Sequence, residues 1–258
     1  MKRVKPKKYL GQHFLHDQQI AARIVESVPV PPHRVLEVGP GMGVLTGHLA
    51  GVPDIDLWLI ELDADSVDYL HFHYPELSSR IISGDFLKHD PGGYFEGDYS
   101  IIGNFPYNIS SQIFFKVLEN RDRIRSVTGM VQREVGRRMT SGPGSKEYGI
   151  LSVLMQAWYH AEYLFTVNEN VFVPPPKVKS AVVRFIRNDV QQLGCDESLF
   201  FKVVKRAFNQ RRKTLRNSLK TFGILTESED EDVLLQQRPE QLGVEEFVRL
   251  TNLVERNL

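Results

Sequence analysis

Arg34-Val35-Leu36-Glu37-Val38-Gly39-Pro40-Gly41-Met42-Gly43 reads as a short apolar strand running into a glycine-rich turn. Glycine lets the backbone turn tightly and leaves room where a Cβ would stand. Outward from this stretch, strands and helices alternate. Upstream, 17–28 reads as a helix with Asp17 as N-cap and Ile20, Ile24, Val25 and Val28 on one face. Downstream, 43–50 reads as a helix, Asp56 to Ile60 as a second strand, and the stretch after Glu61-Leu62-Asp63 as a helix to about Phe72. Arg80 to Ser83 is a third strand ending at Gly84-Asp85, and Tyr99 to Gly103 a fourth. Ser110 to Glu119 reads as a helix, Ser126 to Val131 as a fifth strand, Gly149 to Tyr159 as a helix and Ser180 to Ile186 as a late strand. This alternation predicts an α/β fold with a parallel, doubly wound sheet. Such sheets bind ligands beyond the carboxyl ends of their strands.

The pattern then changes. Asn188 to Glu197 is polar and irregular, a linker, and 198–220 and 244–256 show helical periodicity without a strand. The expected division is a sheet domain over 1–188 and a small all-α domain over 189–258. The single cysteine, Cys195, excludes an internal disulfide framework and fits a reducing cytosol. No metal-ligand spacing of Cys or His stands out, no apolar run has the length of a membrane span, and the basic N-terminus lacks the apolar stretch of a signal peptide. The net charge is zero but polarised. Asp54 to Asp98 carries eleven acidic residues against Arg80 and Lys88. Lys2, Arg3, Lys5, Lys7 and Lys8, and eight basic residues within 202–220, have no acid among them. Local fields of this kind matter more to a polyanionic partner than the sum does.

The glycine turn has the spacing G-x-G-x-G, with Gly39, Gly41 and Gly43. It lacks the third glycine of the dinucleotide fingerprint, because position 44 is Val. Glu61 ends the second strand, where a carboxylate can accept from both hydroxyls of a ribose. Asp85 ends the third, placed to hydrogen-bond an adenine amino group. Singly, each is ordinary: such turns occur in many loops, and a strand-end acid is commonly a solvated or capping group. As an ordered set on successive strand ends they suit S-adenosylmethionine, which has no pyrophosphate to cradle.

Asn104-Phe105-Pro106-Tyr107 follows the fourth strand. The Asn side-chain oxygen can accept from an exocyclic amine. Pro106 biases Phe105 away from the helical region, so its carbonyl can serve as a second acceptor. Tyr107 offers a face for stacking a base. Together they can hold an adenine by N6; a turn that merely contains Asn and Pro is the competing reading. Phe172, before three prolines, is either a stacking ring or a hydrophobic anchor at a rigid turn. Within 202–220, Arg211, Arg212, Lys213 and Arg216 are read as RNA-phosphate contacts rather than a solvated helix face. Arg133, Arg137 and Arg138 form a weaker basic cluster.

Over nearly its whole length the chain resembles the small-subunit ribosomal RNA adenine dimethyltransferases, the KsgA/RsmA family. The resemblance rests on Tyr9-Leu10-Gly11-Gln12-His13-Phe14-Leu15, on Glu37 to Thr46, on Asn104-Phe105-Pro106-Tyr107-Asn108-Ile109, on Phe172-Val173-Pro174-Pro175-Pro176-Lys177-Val178 and on Phe208 to Arg216. The last points to the small-subunit branch. The resemblance implies a Rossmann-like class I S-adenosylmethionine-dependent methyltransferase sheet with a small helical domain that binds rRNA. It implies that His13, the Leu15 backbone, Gly39, Gly41, Glu61, Asp85 and Asn104 contact the cofactor, and that Tyr107 and Phe172 sandwich the target adenine. It further implies dimethylation of two adjacent adenosines near the 3′ end of 16S rRNA in the 30S particle, in the cytoplasm, by a metal-free monomer. Two departures stand out: His13 replaces the family's usual Asn, and Phe105 its usual Leu. The other readings are a large-subunit rRNA adenine methyltransferase conferring antibiotic resistance, against which 208–216 argues, and a binding factor, either an assembly checkpoint on the immature small subunit or a transcription-factor relative with little catalysis.

Overall fold

A computed structural model describes residues 4–29, 33–90, 93–94 and 96–258. Lys2 and Arg3 of the basic N-terminal run lie outside the described residues. The chain divides into two compact units, Met1–Gly136 with Ala161–Arg187, and Arg137–His160 with Asn188–Leu258.

The first unit opens with β1 (Phe14–Leu15) and α1 (Gln18–Glu26), then alternates β2 (Arg34–Val38), α2 (Val44–Leu49), β3 (Asp56–Glu61), α3 (Ala64–His73), β4 (Ile81–Ser83), β5 (Tyr99–Asn104), α4 (Ser110–Glu119) and β6 (Ile124–Gln132). The α1 start is fixed as expected: the Asp17 side chain accepts from the Gln19 and Ile20 amides. After α5 (Arg133–Thr140) and α6 (Ile150–Trp158) the chain returns as β7 (Tyr159–Val167), β8 (Phe172–Val173) and β9 (Ser180–Arg187).

Seven strands form one sheet in the order β4-β3-β2-β5-β6-β9-β7. β4, β3, β2, β5 and β6 run parallel, as the alternation predicts. β9 corrects the expectation of a wholly parallel sheet: it lies antiparallel to β6, with Val127 opposite Phe185 and Gln132 opposite Ser180. An apolar run buried on both faces reads the same in either direction, so its polarity is invisible in sequence. β7 escaped the sequence reading because most of its side chains are half-exposed, so its apolar pattern is diluted.

β1 and β8 pair separately as a two-stranded ladder, Phe14 with Val173 and Leu15 with Phe172. One face of the large sheet buries Leu15, Ile24, Leu45, Leu59, Leu70 and Phe172 in a common core.

In the second unit, α6 is apolar on nearly every side and fully packed, with Trp158 stacked on Phe201 and edge-on to Phe200. A helix without a polar face must be enclosed. α6 packs against α7 (Glu197–Asn209) and against α10 (Val244–Arg256), so 137–160 belongs to this unit. That corrects the expected boundary, which left these residues with the sheet. The helical run expected over 198–220 is also interrupted. α7 ends at Asn209, a turn follows in which the Lys213 amide donates to the Gln210 carbonyl, and α8 (Leu215–Ser218) resumes. α9 (Glu229–Gln236) takes up the acidic run, with Ser228 as N-cap and four acids in its first turn, where a helix N-terminus favours negative charge. Among the described residues, no helix is long and apolar enough to cross a membrane.

Candidate active site

The carboxyl ends of β2, β3, β4 and β5 open into one cavity. Gly39, Gly41, Glu61, Asp85, Asn104, Phe105 and Tyr107 all line it, as expected from sequence. Its outer wall is the segment Tyr9 to Phe14.

Gly39 stands in the left-handed region (φ +71°), and nothing lies within 4 Å of the place its Cβ would take. The cavity therefore begins at the bare backbone, which a bound molecule can approach closely. Gly41 is constrained differently: a Cβ there would stand 2.9 Å from the Phe14 ring.

Glu61 is held from two sides. The Gly41 amide donates to its Oε2 at 2.9 Å and the Asp63 amide to its Oε1 at 2.8 Å. Each oxygen keeps a lone pair, enough for two hydroxyls. Burial raises its carboxyl above the ordinary value, and the backbone amides of Asp63, Gly41 and Leu62 oppose that shift. Beside it, the wall segment is clamped by Lys7, which bridges Asp63 and Asp65, and by Gln12, whose amide reaches Asp63 at 3.2 Å. Burial alone would lift the Asp63 carboxyl, but the Lys7 and Gln12 hydrogen bonds hold it below the ordinary range.

Behind the glycine turn lies a feature the sequence reading missed. Glu37 is fully buried, and burial pushes its carboxyl up to about 8, with the Thr46 hydroxyl, donating at 2.6 Å, opposing the shift. Glu61 adds repulsion. At neutral pH Glu37 is therefore protonated in the folded chain and ionised in the unfolded one. The folded state binds the extra proton, so stability falls as pH rises from the ordinary carboxyl range towards 8. Glu37→Gln, which cannot ionise, is expected to flatten the fall in Tm between pH 5 and pH 9 in thermal unfolding.

Asp85 is half-buried, with its Oδ1 accepting from the Leu87 amide at 3.0 Å and Lys88 3.9 Å from its Oδ2. Oδ2 is the oxygen left for an amine. Leu62 and Phe86, each just after one of the two acids, add apolar walls. The recurring acid-then-apolar pair was the available signal for them.

Asn104 is fixed by its own chemistry. Its side-chain nitrogen sits 2.9 Å from the His13 carbonyl. A carbonyl only accepts, so the NH2 is engaged there and the amide oxygen remains for the cavity. The Phe105 amide donates to the Met130 carbonyl, while its own carbonyl receives no donor among the described residues. The Phe105 ring is buried, edge-on to Phe114 at 5.9 Å and pressed against Gly103 and Gly129. The larger ring that replaces Leu thus fills space opened by two glycines on β5 and β6.

Tyr107 is pinned through its hydroxyl to Ser180. His13 stacks on its ring, with centroids 5.4 Å apart and planes inclined by 28°. The His13 Nδ1 lies 2.7 Å from the Pro174 carbonyl and so carries the hydrogen. His13 and Tyr107 form a joint aromatic wall.

Two expected site residues are not at the cavity. Phe172, read from sequence as either a stacking ring or a hydrophobic anchor, is 2% exposed and packs in the sheet core. The side chain of Leu15, its partner across β1 and β8, is buried in the same core, which bears on its side chain and not on the backbone contact expected there. The pairing of these two short strands turns both side chains inward. Among the described residues, no group of three or more His, Cys, Asp or Glu side chains is arranged to hold a metal.

An open glycine turn, a doubly anchored acid and a second acid with one oxygen that accepts no hydrogen bond among the described residues fit the methionyl nucleoside the sequence suggests. Sheet and site define a class I S-adenosylmethionine-dependent methyltransferase. Residues 3–256 match the ribosomal RNA adenine dimethylase family, and the chain belongs to it. It is 58% identical over 260 residues to the ribosomal RNA small subunit methyltransferase A of Bacteroides thetaiotaomicron, covering 100% of this chain and 97% of that protein. It is 55% identical over 257 residues to the protein of the same name from Flavobacterium johnsoniae, covering 99% and 98%. Among solved structures, a dimethyladenosine transferase from Plasmodium falciparum superposes with a TM-score of 0.78 at 21% identity, covering 95% of this chain and 98% of that one. The 23S rRNA methyltransferase ErmE superposes with a TM-score of 0.70 at 24% identity, covering 94% and 99%. These two share the fold.

Proposed function

We propose that this protein transfers methyl groups from S-adenosylmethionine to N6 of two adjacent adenosines in a hairpin loop near the 3′ end of 16S rRNA. The substrate is the 30S particle, the product N6,N6-dimethyladenosine, the setting the cytoplasm, and the enzyme a monomer contributing to small-subunit biogenesis. The observation that carries the chemistry is the hydrogen bond from the Asn104 amide to the His13 carbonyl, which leaves the Asn104 oxygen for an amine. The choice of the small-subunit substrate is supported by the whole-length identity to small-subunit methyltransferases.

The N6 lone pair of adenine is delocalised into the ring and attacks poorly. Asn104 Oδ1 and the Phe105 carbonyl accept its two hydrogens and draw the nitrogen towards tetrahedral geometry. The wall of His13 and Tyr107 holds the base plane. When bound, S-adenosylmethionine supplies an electrophilic methyl on a sulfonium. The nitrogen forms its bond to that carbon as the carbon–sulfur bond breaks, and N6 then loses a proton to solvent. Positioning and fixed dipoles carry the acceleration. The base must leave its stack to enter.

The test incubates the purified protein with labelled donor and either 30S particles from cells lacking the modification or naked 23S rRNA, followed by mass analysis. Two dimethyladenosines in 16S rRNA support the reading. Methylation of 23S rRNA alone would replace it with the large-subunit alternative.

The four basic residues proposed for RNA are not equivalent. Arg211 donates to the Ser145 carbonyl at 3.2 Å and faces Glu240, and Arg216 is paired with Asp232. Arg212 and Lys213 are exposed, with no ion pair among the described residues. Neutralising Arg212 and Lys213 together should reduce the slope of log affinity for 30S particles against log salt by up to about 2, since each phosphate contact contributes about 0.7–0.9. Arg211→Ala should instead loosen its own unit and lower Tm. Filter binding across a salt series and a melting curve separate the two.

A further inference from the structure

His89 follows the acid at the end of β4 and does not line the cavity. Its ring lies against Gly84: a Cβ there would stand 2.3 Å from His89 Cε1, 2.7 Å from Nε2 and 2.8 Å from Nδ1, so the three atoms nearest the position all belong to this ring. Its Nδ1 is 3.0 Å from the Asp85 carbonyl, which also accepts the amides of Lys88 and His89. Because a carbonyl only accepts, Nδ1 carries a hydrogen. On the other side the Gly84 amide donates to the Glu61 carbonyl at 2.8 Å, tying the same turn to the end of β3. Tyr94 flanks the imidazole at 6.2 Å. Gly84 and Asp85 are thus gripped between the end of β3 and one imidazole.

We infer that His89 is a positioning residue for the cofactor: it seats the Gly84-Asp85 turn so that the free Asp85 oxygen faces the adenine amine. This rests on the reading of Asp85 as the adenine-holding acid. Nothing in the motif spacing marks His89, whose role follows from the close approach that only glycine at 84 permits. Methyl transfer itself takes place at Asn104 and Phe105, so the expected effect falls on donor binding.

The experiment measures the affinity of S-adenosylhomocysteine by calorimetry, with steady-state kinetics on 30S particles, for a set of variants. Asp85→Ala reports on the underlying reading and is expected to weaken binding. His89→Ala is expected to weaken S-adenosylhomocysteine about five- to tenfold, the worth of one hydrogen bond, and to raise KM for the donor with little change in kcat. His89→Asn, which can still donate to the Asp85 carbonyl, should recover most of that loss. Gly84→Ala should weaken binding in the wild-type background by displacing the imidazole, yet add less in the His89→Ala background, where the ring that stands nearest is gone. If Asp85→Ala weakens binding while His89→Ala and Gly84→Ala do not, His89 has no positioning role. If Asp85→Ala leaves binding intact, the adenine reading fails and this inference with it. A loss confined to Tm and kcat, equal for His89→Ala and His89→Asn, would mark His89 as merely structural.

Discussion

Asn104→Ala is expected to cut methyl transfer by about two to three orders of magnitude, the loss typical when a group aimed at developing charge is removed. S-adenosylhomocysteine should still bind measurably, because the glycine turn, Glu61 and Asp85 are untouched. Single-turnover methylation of 30S particles and calorimetry measure the two separately. Asn104→Asp sharpens the test. It keeps an acceptor for the amine but loses the NH2 that reaches the His13 carbonyl, and sets a carboxylate oxygen against that carbonyl. The wall segment should then be repelled, and activity should stay low. An active Asp variant would show that the bond to His13 is dispensable, and near-normal turnover of the Ala variant would remove Asn104 from the chemistry altogether.

Gly129→Ala is expected to do the largest damage among single-methyl additions. The new Cβ would stand 2.2 Å from Phe105 Cε2 and 2.7 Å from Cζ. Overpacking a closed core typically costs about 1–3 kcal/mol, here visible as a fall in Tm. Phe105 cannot retreat freely, since Gly103 and Phe114 bound its ring. Its carbonyl, one of the two acceptors for N6, must move with it, so activity should fall further than stability alone requires. Phe105→Leu removes Cε2 and Cζ, the two atoms nearest the new Cβ. In that background Gly129→Ala should be tolerated, giving a positive coupling between two sites that each look neutral in sequence. Independent, additive losses would separate the ring from the position of the carbonyl.

The glycine turn and the two acids were legible in the chain because each residue type does something its neighbours cannot. Only glycine leaves the backbone bare at 39, and only a carboxylate at 61 can take two amides and still accept from hydroxyls. Asn104 was legible as an acceptor, but the bond that orients it depends on a carbonyl ninety-one positions away. The side chains of Phe172 and Leu15 lie away from the cavity for a related reason. Both are apolar residues inside site motifs, and whether such a side chain faces a ligand or the core is decided by the pairing of β1 with β8, which no local pattern encodes. The helix at 150–158 was visible, but not its companions, because an all-apolar helix shows that it must be buried without showing where. Glu37 looked like a strand residue; its protonation is set by enclosure and by Glu61, both tertiary facts.

The antiparallel seat of β9 has a bearing on how the chain is made. β6 is an inner strand of the finished sheet, yet its partner on one side, Ser180 onward, leaves the ribosome 48 residues after Gln132. At about 5–20 residues per second that interval is roughly 2–10 s, during which a long, apolar strand keeps an unpaired edge. The nascent sheet domain is therefore sealed only late in synthesis, and the same interval is its greatest exposure to mispairing with other chains.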